Sequence, residues 1–165
     1  MPREGARLPL PTELYIESTS RCNEACDQCP RTHLGREADR DITLAEVCQI
    51  VEQIPTLRRV VLHGLGEPLM NRALTSFIDL AKQANPRIEI DVTTNGTLLT
   101  EAVLRAFIER RVDRLTVSMD GLSPEMVSSI RIGINTSKVF ANLERLERLK
   151  REMNSARPIL RFNYM

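Results

Sequence analysis

Short runs of alternating apolar and polar residues punctuate the chain. Ile88, Ile90 and Val92 alternate with Glu89, Asp91 and Thr93, and Leu115, Val117 and Met119 with Arg114, Thr116 and Ser118. Leu160, Phe162 and Tyr164 alternate with Arg161 and Asn163, and Leu14 and Ile16 with Tyr15 and Glu17. This period of two predicts strands over Leu14–Ser18, Ile88–Thr93, Arg114–Met119 and Ile159–Tyr164, with a further β-rich run at Arg59–His63. Between them the apolar period lengthens to that of a helix. Thr43 and Glu46 form a capping box before Leu44, Val47, Cys48, Val51 and Ile54. Later helices carry Leu74, Phe77, Ile78 and Ala81, then Val103, Leu104, Phe107 and Ile108, then Val139, Leu143, Leu146 and Met153. Ser123 followed by Pro124 reads as the start of a short extra helix.

Strands alternating with helices imply parallel strands joined by right-handed crossovers. In a doubly wound sheet both faces lie under helices and the strands are apolar throughout. Here several strands alternate instead, with one face polar, which points to a curved sheet with helices outside. The expected fold is therefore α/β, a partial (β/α) barrel of about four βα units plus a fifth strand, enclosing a polar lumen. Arg161 and Asn163 should face that lumen. The flat sheet with polar strand ends is the competing arrangement. Residues 1–13 read as an N-terminal extension and residues 14–165 as the core domain. The last strand runs into Met165, and an eight-unit barrel needs roughly 250 residues. The core thus reads as an incomplete barrel, cut short or completed by a partner.

Composition changes this picture little. A hydrophobic fraction of 42% in 165 residues is enough for a buried core. A net charge of +1 gives no reason to expect nucleic acid or an anionic membrane as partner. No stretch approaches the roughly 20 apolar residues of a membrane span, and the first residues lack a signal-peptide core. The expectation is a cytoplasmic protein, in which four cysteines serve as ligands or core residues rather than disulfides.

The chemistry concentrates after the first strand, where parallel α/β sheets carry their sites. Cys22, Cys26, Cys29 and His33 fall within one short run. Three thiolates can hold an iron–sulfur cluster and leave one iron open. With His33 they can instead close a Cys3His zinc site. Cys48 could add a ligand, but its place on an apolar helix face reads as core. Spacing alone leaves cluster and zinc both open. At the end of the second strand, Gly64 and Gly66 allow close backbone approach to a ligand, and Glu67 could accept from an ammonium group.

The segments taken together resemble the radical S-adenosylmethionine (SAM) superfamily. The carriers are CNEACDQC followed by Pro30, LHGLGEPLMN after the second strand, TTNGTLLT after the third, LTVSMDG at the fourth, and IRIGINTSKVFANLERL beyond it. The resemblance runs from Leu14 almost to the end, and its pattern is closest to peptide-modifying and cofactor-building members. It implies a [4Fe-4S] cluster on Cys22, Cys26 and Cys29, with SAM on the open iron and His33 left free. It implies reductive cleavage of SAM to a 5′-deoxyadenosyl radical that abstracts hydrogen from a peptide or small-molecule substrate. A flavodoxin- or ferredoxin-like electron donor follows.

SAM contacts are implied at His63, Gly64, Gly66, Glu67 and Pro68, at Thr93 and Asn95, at Ser118 and Asp120, and at Arg131. Gln28 stands where the family often has an aromatic residue near the adenine, and Leu65 where a second glycine often sits. Two other readings remain: a zinc-stabilised α/β binding protein, and a catalytically inactive barrel fragment.

Overall fold

A computed structural model describes residues 9–33, 39–121 and 134–164. Strand β1 (Glu13–Ile16) is followed by the cysteine loop, one helical turn α1 (Pro30–His33) and helix α2 (Leu44–Glu52). Then come β2 (Arg59–Leu62), a 3-10 turn (Pro68–Met70), α3 (Leu74–Ala84) and β3 (Glu89–Thr94). Helix α4 (Glu101–Glu109), β4 (Arg114–Ser118), α5 (Thr136–Glu152) and β5 (Ile159–Asn163) complete the order. Each strand lies within two residues of the run that predicted it. The short helix expected at Ser123 lies outside the described residues.

All five strands are parallel, and their order in the sheet is their order in the chain. A doubly wound sheet reverses direction partway across; this one never does. Successive right-handed crossovers of one sense put every helix on the same face. The result is the predicted partial barrel.

One cluster fills the space between sheet and helices. Ile16, Val60, Leu62, Ile90, Val92, Leu115 and Val117 meet Val47 and Val51 of α2, Phe77 and Ile78 of α3, Leu104 and Phe107 of α4, and Leu146 and Leu149 of α5. Each such burial contributes about 1.5–3 kcal/mol. The helices start where side chains satisfy their first N–H groups. Glu46 N–H donates to Thr43 Oγ1 at 3.3 Å, Thr43 N–H donates to the Glu46 carboxylate at 2.8 Å, and Asn135 Oδ1 caps α5 by accepting from Lys138 N–H at 2.9 Å.

Two expectations about the core need correction. Cys48 is not a core residue. It lies part-exposed on α2, and its thiol donates to Glu52 Oε1 at 3.3 Å. The apolar stripe of α2 is wider than the surface it covers: Val47 and Val51 are buried, but Leu44 is 41% exposed. Nor are Phe162 and Tyr164 buried under helices. They are 42% and 52% exposed, because β5 is the edge strand and only Leu160 reaches the core cluster.

The lumen face is polar, and at the N-terminal end of the strands its charges pair with one another. Buried Asp91 accepts from Arg59 Nε and Arg114 Nη1, each at 3.0 Å. Arg114 also donates to Glu89 at 2.7 Å, and Arg59 lies 3.2 Å from Glu13. These ion pairs, with buried Val61 beside them, floor the lumen.

Candidate cluster and cofactor site

The cysteine loop departs from β1 and is tied at its neck. Ser20 N–H donates to Arg40 O at 2.9 Å and Ile42 N–H to Ser18 O at 3.1 Å, around a bridge between Thr19 and Asp41. Asp41 accepts from the Thr19 hydroxyl at 2.6 Å and from Arg21 Nε at 3.1 Å. Arg21 also donates to Met70 O at 3.0 Å. The Thr19 hydroxyl, then Arg21, hold the Asp41 carboxyl below the usual carboxylate range.

Within that pinned loop Cys22, Cys26 and Cys29 are half-buried and form no disulfide. A turn orders the last two: Cys29 N–H donates to Cys26 O at 3.1 Å, and the Thr32 hydroxyl to the same oxygen at 2.8 Å. Burial pushes the Cys22 thiol up, and the nearby Glu67 and Glu24 add to the effect. The Cys26 thiol donates to buried Glu24 at 3.6 Å. His33 is exposed, and its Nε2 lies against the carbonyl oxygen of Asp27. Among the described residues no group of three or more His, Cys, Asp and Glu is placed to hold a single metal ion. The closed Cys3His site therefore finds no support in the arrangement. Three thiols on one tethered loop are the soft donor set that suits an iron–sulfur cluster.

The glycine segment after β2 packs directly on this loop. A Cβ at Gly66 would lie 1.9 Å from Thr19 O and 2.8 Å from Arg21 O, so only glycine fits. Glu67 N–H donates to Arg21 O at 2.7 Å. The Glu67 carboxylate is 2% exposed and accepts from the Thr94 hydroxyl at 2.7 Å, Asn95 N–H at 2.8 Å and Leu69 N–H at 3.1 Å. Pro68 is buried and opens the 3-10 turn. His63 is exposed on the lumen side, and its backbone N–H donates to Ile16 O at 3.1 Å.

The turn after β3 closes the third side. Asn95 Nδ2 donates to Asn23 Oδ1, and Asn23 Nδ2 to Thr97 Oγ1, both at 2.9 Å. Gly96 has a φ of 82°, the left-handed backbone that glycine tolerates. Its carbonyl accepts from Asn142 Nδ2 at 2.9 Å.

The structure thus brings the cysteine loop, the segment His63–Pro68 and the turn at Asn95 together at the C-terminal ends of neighbouring strands. Thr93 and Ser118 stand half-buried on the lumen face, and Asp120 is buried just beyond β4. Gln28 is exposed on the cysteine loop. Arg131 lies outside the described residues. Sequence reasoning passed over Asn23, Thr97 and the pair Arg21–Asp41. Asn23 carried one signal, its place between two of the cysteines. It also took Glu17 for an ordinary lumen residue, whereas its Oε1 accepts from Leu65 N–H at 2.6 Å and Gly66 N–H at 3.1 Å.

This arrangement has relatives. The model of the radical SAM superfamily matches residues 16–160, and the chain belongs to that superfamily. The cofactors of the superfamily are a [4Fe-4S] cluster and SAM. Over 149 residues the chain is 32% identical to the tungsten-containing aldehyde ferredoxin oxidoreductase cofactor-modifying protein of Pyrococcus furiosus, covering 88% of this chain and 41% of that one. Its fold is that of anSMEcpe with bound AdoMet, with a TM-score of 0.74 at 23% identity over 93% of this chain and 43% of that one. Streptococcus suis SuiB bound to the precursor peptide SuiA gives 0.74 at 18% identity, over 94% and 33%. The chain spans less than half the length of curated relatives such as the Pyrococcus protein. Among the described residues no helix is long and apolar enough to cross a membrane.

Proposed function

We propose that this chain is the cofactor-binding core of a radical SAM enzyme, formed by residues 14–165. The observation that carries the reading is the locking of the three-cysteine loop to two other loops through Glu67, Asn95 and Asn23. Cys22, Cys26 and Cys29 hold the cluster. His63, Gly64, Gly66, Pro68, Thr93, Ser118 and Asp120, with Gln28 and Arg131, form the SAM site. Glu67 and Asn95 serve that site through the backbone they brace, since their side chains bond to neighbouring loops. When bound, the two cofactors supply reductive cleavage of SAM to a 5′-deoxyadenosyl radical for hydrogen abstraction.

The chain's own part is ligation, orientation and control of access. The floor of ion pairs closes the lumen from below, so substrate enters at the cluster end. A role in cofactor building or peptide modification is supported by the similarity to the Pyrococcus protein and by the SuiB-like fold. A flavodoxin- or ferredoxin-like donor supplies the electron. Cysteines outside any disulfide suit the reducing cytoplasm.

The test is anaerobic loading with iron and sulfide, reduction, and electron paramagnetic resonance with and without SAM. A reduced-cluster signal that changes on adding SAM is the expected result. Tight zinc with no cluster, or a cluster indifferent to SAM, overturns the reading.

A further inference from the structure

Three successive amide groups of the glycine segment are held from the β1 side. Leu65 and Gly66 donate to the Glu17 carboxylate, and Glu67 donates to Arg21 O. Glu17 is the residue directly after β1, where the cysteine loop begins. Gly64 leaves the space that its side chain fills: a Cβ there would lie 2.5 Å from Glu17 Cγ and Oε1. A planar trans peptide sets its C=O antiparallel to the following N–H. Donation from Leu65 and Gly66 to Glu17 therefore turns the carbonyls of Gly64 and Leu65 away from it, as acceptors for a cationic ligand. A carboxylate acceptor makes these bonds stronger than a neutral one would. Glu17 is exposed, so burial does not fix its position; these bonds do.

We propose that Glu17 is a positioning residue that latches the glycine segment to the cysteine loop and so sets the affinity for SAM. This rests on the reading of the chain as a radical SAM protein. The latch does not bind the cluster, and removing it leaves two amides near solvent rather than a cavity. Glu17→Ala should therefore load iron as the parent does. Its melting temperature, without cluster, should move by no more than about 3 °C.

The experiment compares the parent protein, Glu17→Ala and Glu17→Gln. Amide hydrogen exchange is followed at Leu65 and Gly66 in the cluster-free chain. The SAM Kd is taken from the response of the reduced cluster. Glu17→Ala should lose about tenfold in protection at both amides and about tenfold in SAM affinity, at unchanged iron content. Glu17→Gln, which keeps an acceptor oxygen, should recover to within about threefold of the parent. Unchanged protection, an unchanged Kd, or loss of iron together with SAM in Glu17→Ala overturns the latch. A parent protein that loads cluster yet ignores SAM overturns the proposed function instead, and the latch then stands or falls on the amide exchange alone.

Discussion

The Thr94 hydroxyl donates to the Glu67 carboxylate at 2.7 Å, across 27 positions of the chain. That bond, with the one from Asn95 N–H, makes a buried carboxylate the brace between the loops that follow β2 and β3. Glu67→Ala removes the acceptor and leaves two buried donors without it. The expected cost is about 3 kcal/mol, because each orphaned donor bears its own desolvation penalty. Urea denaturation measures it, and a loss below about 0.5 kcal/mol would reject the brace.

The two glycines of the segment should differ sharply under the same change. In Gly66→Ala the added methyl meets the backbone of Thr19, which has no room to yield. A loss of about 3 kcal/mol or more is expected, and with it the cysteine-loop conformation. In Gly64→Ala the nearest atoms are all of the Glu17 side chain: its far end can turn away, but its Cβ, at 2.6 Å, moves only with the backbone. That variant should lose about 1–2 kcal/mol, less than Gly66→Ala, because one side chain and not a backbone carbonyl has to give. Equal melting temperatures for the two would contradict the packing described.

Asp41 makes the neck of the cysteine loop sensitive to acid. Its folded-state pKa is lowered, first by the Thr19 hydroxyl and then by Arg21. Its contribution is thus fully present above the unfolded value of about 3.9 and is lost as pH falls through the folded one. Asp41→Asn should be less stable than the parent at pH 7. The gap should narrow below about pH 4. Thermal melts of both proteins from pH 7 to pH 3 check this; a gap that widens on acidification reverses the assignment.

The metal-ligand assignment divides the sulfur residues in two. Cys22→Ser, Cys26→Ser and Cys29→Ser should each lose most of the iron taken up on anaerobic loading. Cys48→Ser and His33→Ala should keep it, since Cys48 bonds to Glu52 on α2 and His33 faces Asp27. Iron and sulfide assays give the answer. Loss of metal in His33→Ala would revive the Cys3His site.

Much of the fold could be read from periodicity because most strands place one face under the helices and turn the other to the polar lumen. Ile90, Val92, Leu115 and Val117 are almost wholly buried, as their alternation required. Alternation reports which face a side chain takes, not what covers that face. Hence Phe162 and Tyr164, in perfect phase, lie exposed on an edge strand, and Cys48 sits in a helical stripe that outruns its cover. The cysteines and glycines of the site were legible because their spacing is local. The contacts that shape it were not: Asn95 reaches Asn23 and Glu17 reaches Leu65, and no local pattern encodes pairs so far apart. The Arg59–Asp91–Arg114 floor belongs to the same class, with opposite charges brought together only by strand register.

Strand order has a consequence for biosynthesis. Each strand pairs with the one made just before it, so the sheet can grow as the nascent chain emerges. The partners that hold the cysteine loop in the bonds described, Asp41, Met70, Glu67, Asn95 and Thr97, all precede residue 98. Helix α5 clasps Gly96 from behind, through Asn142 and Val139. A ribosome that has released little more than the first three strands has therefore released these partners of the thiol loop. The cysteine loop is thus framed early in synthesis, while the wall at β4 and β5 is still to be made.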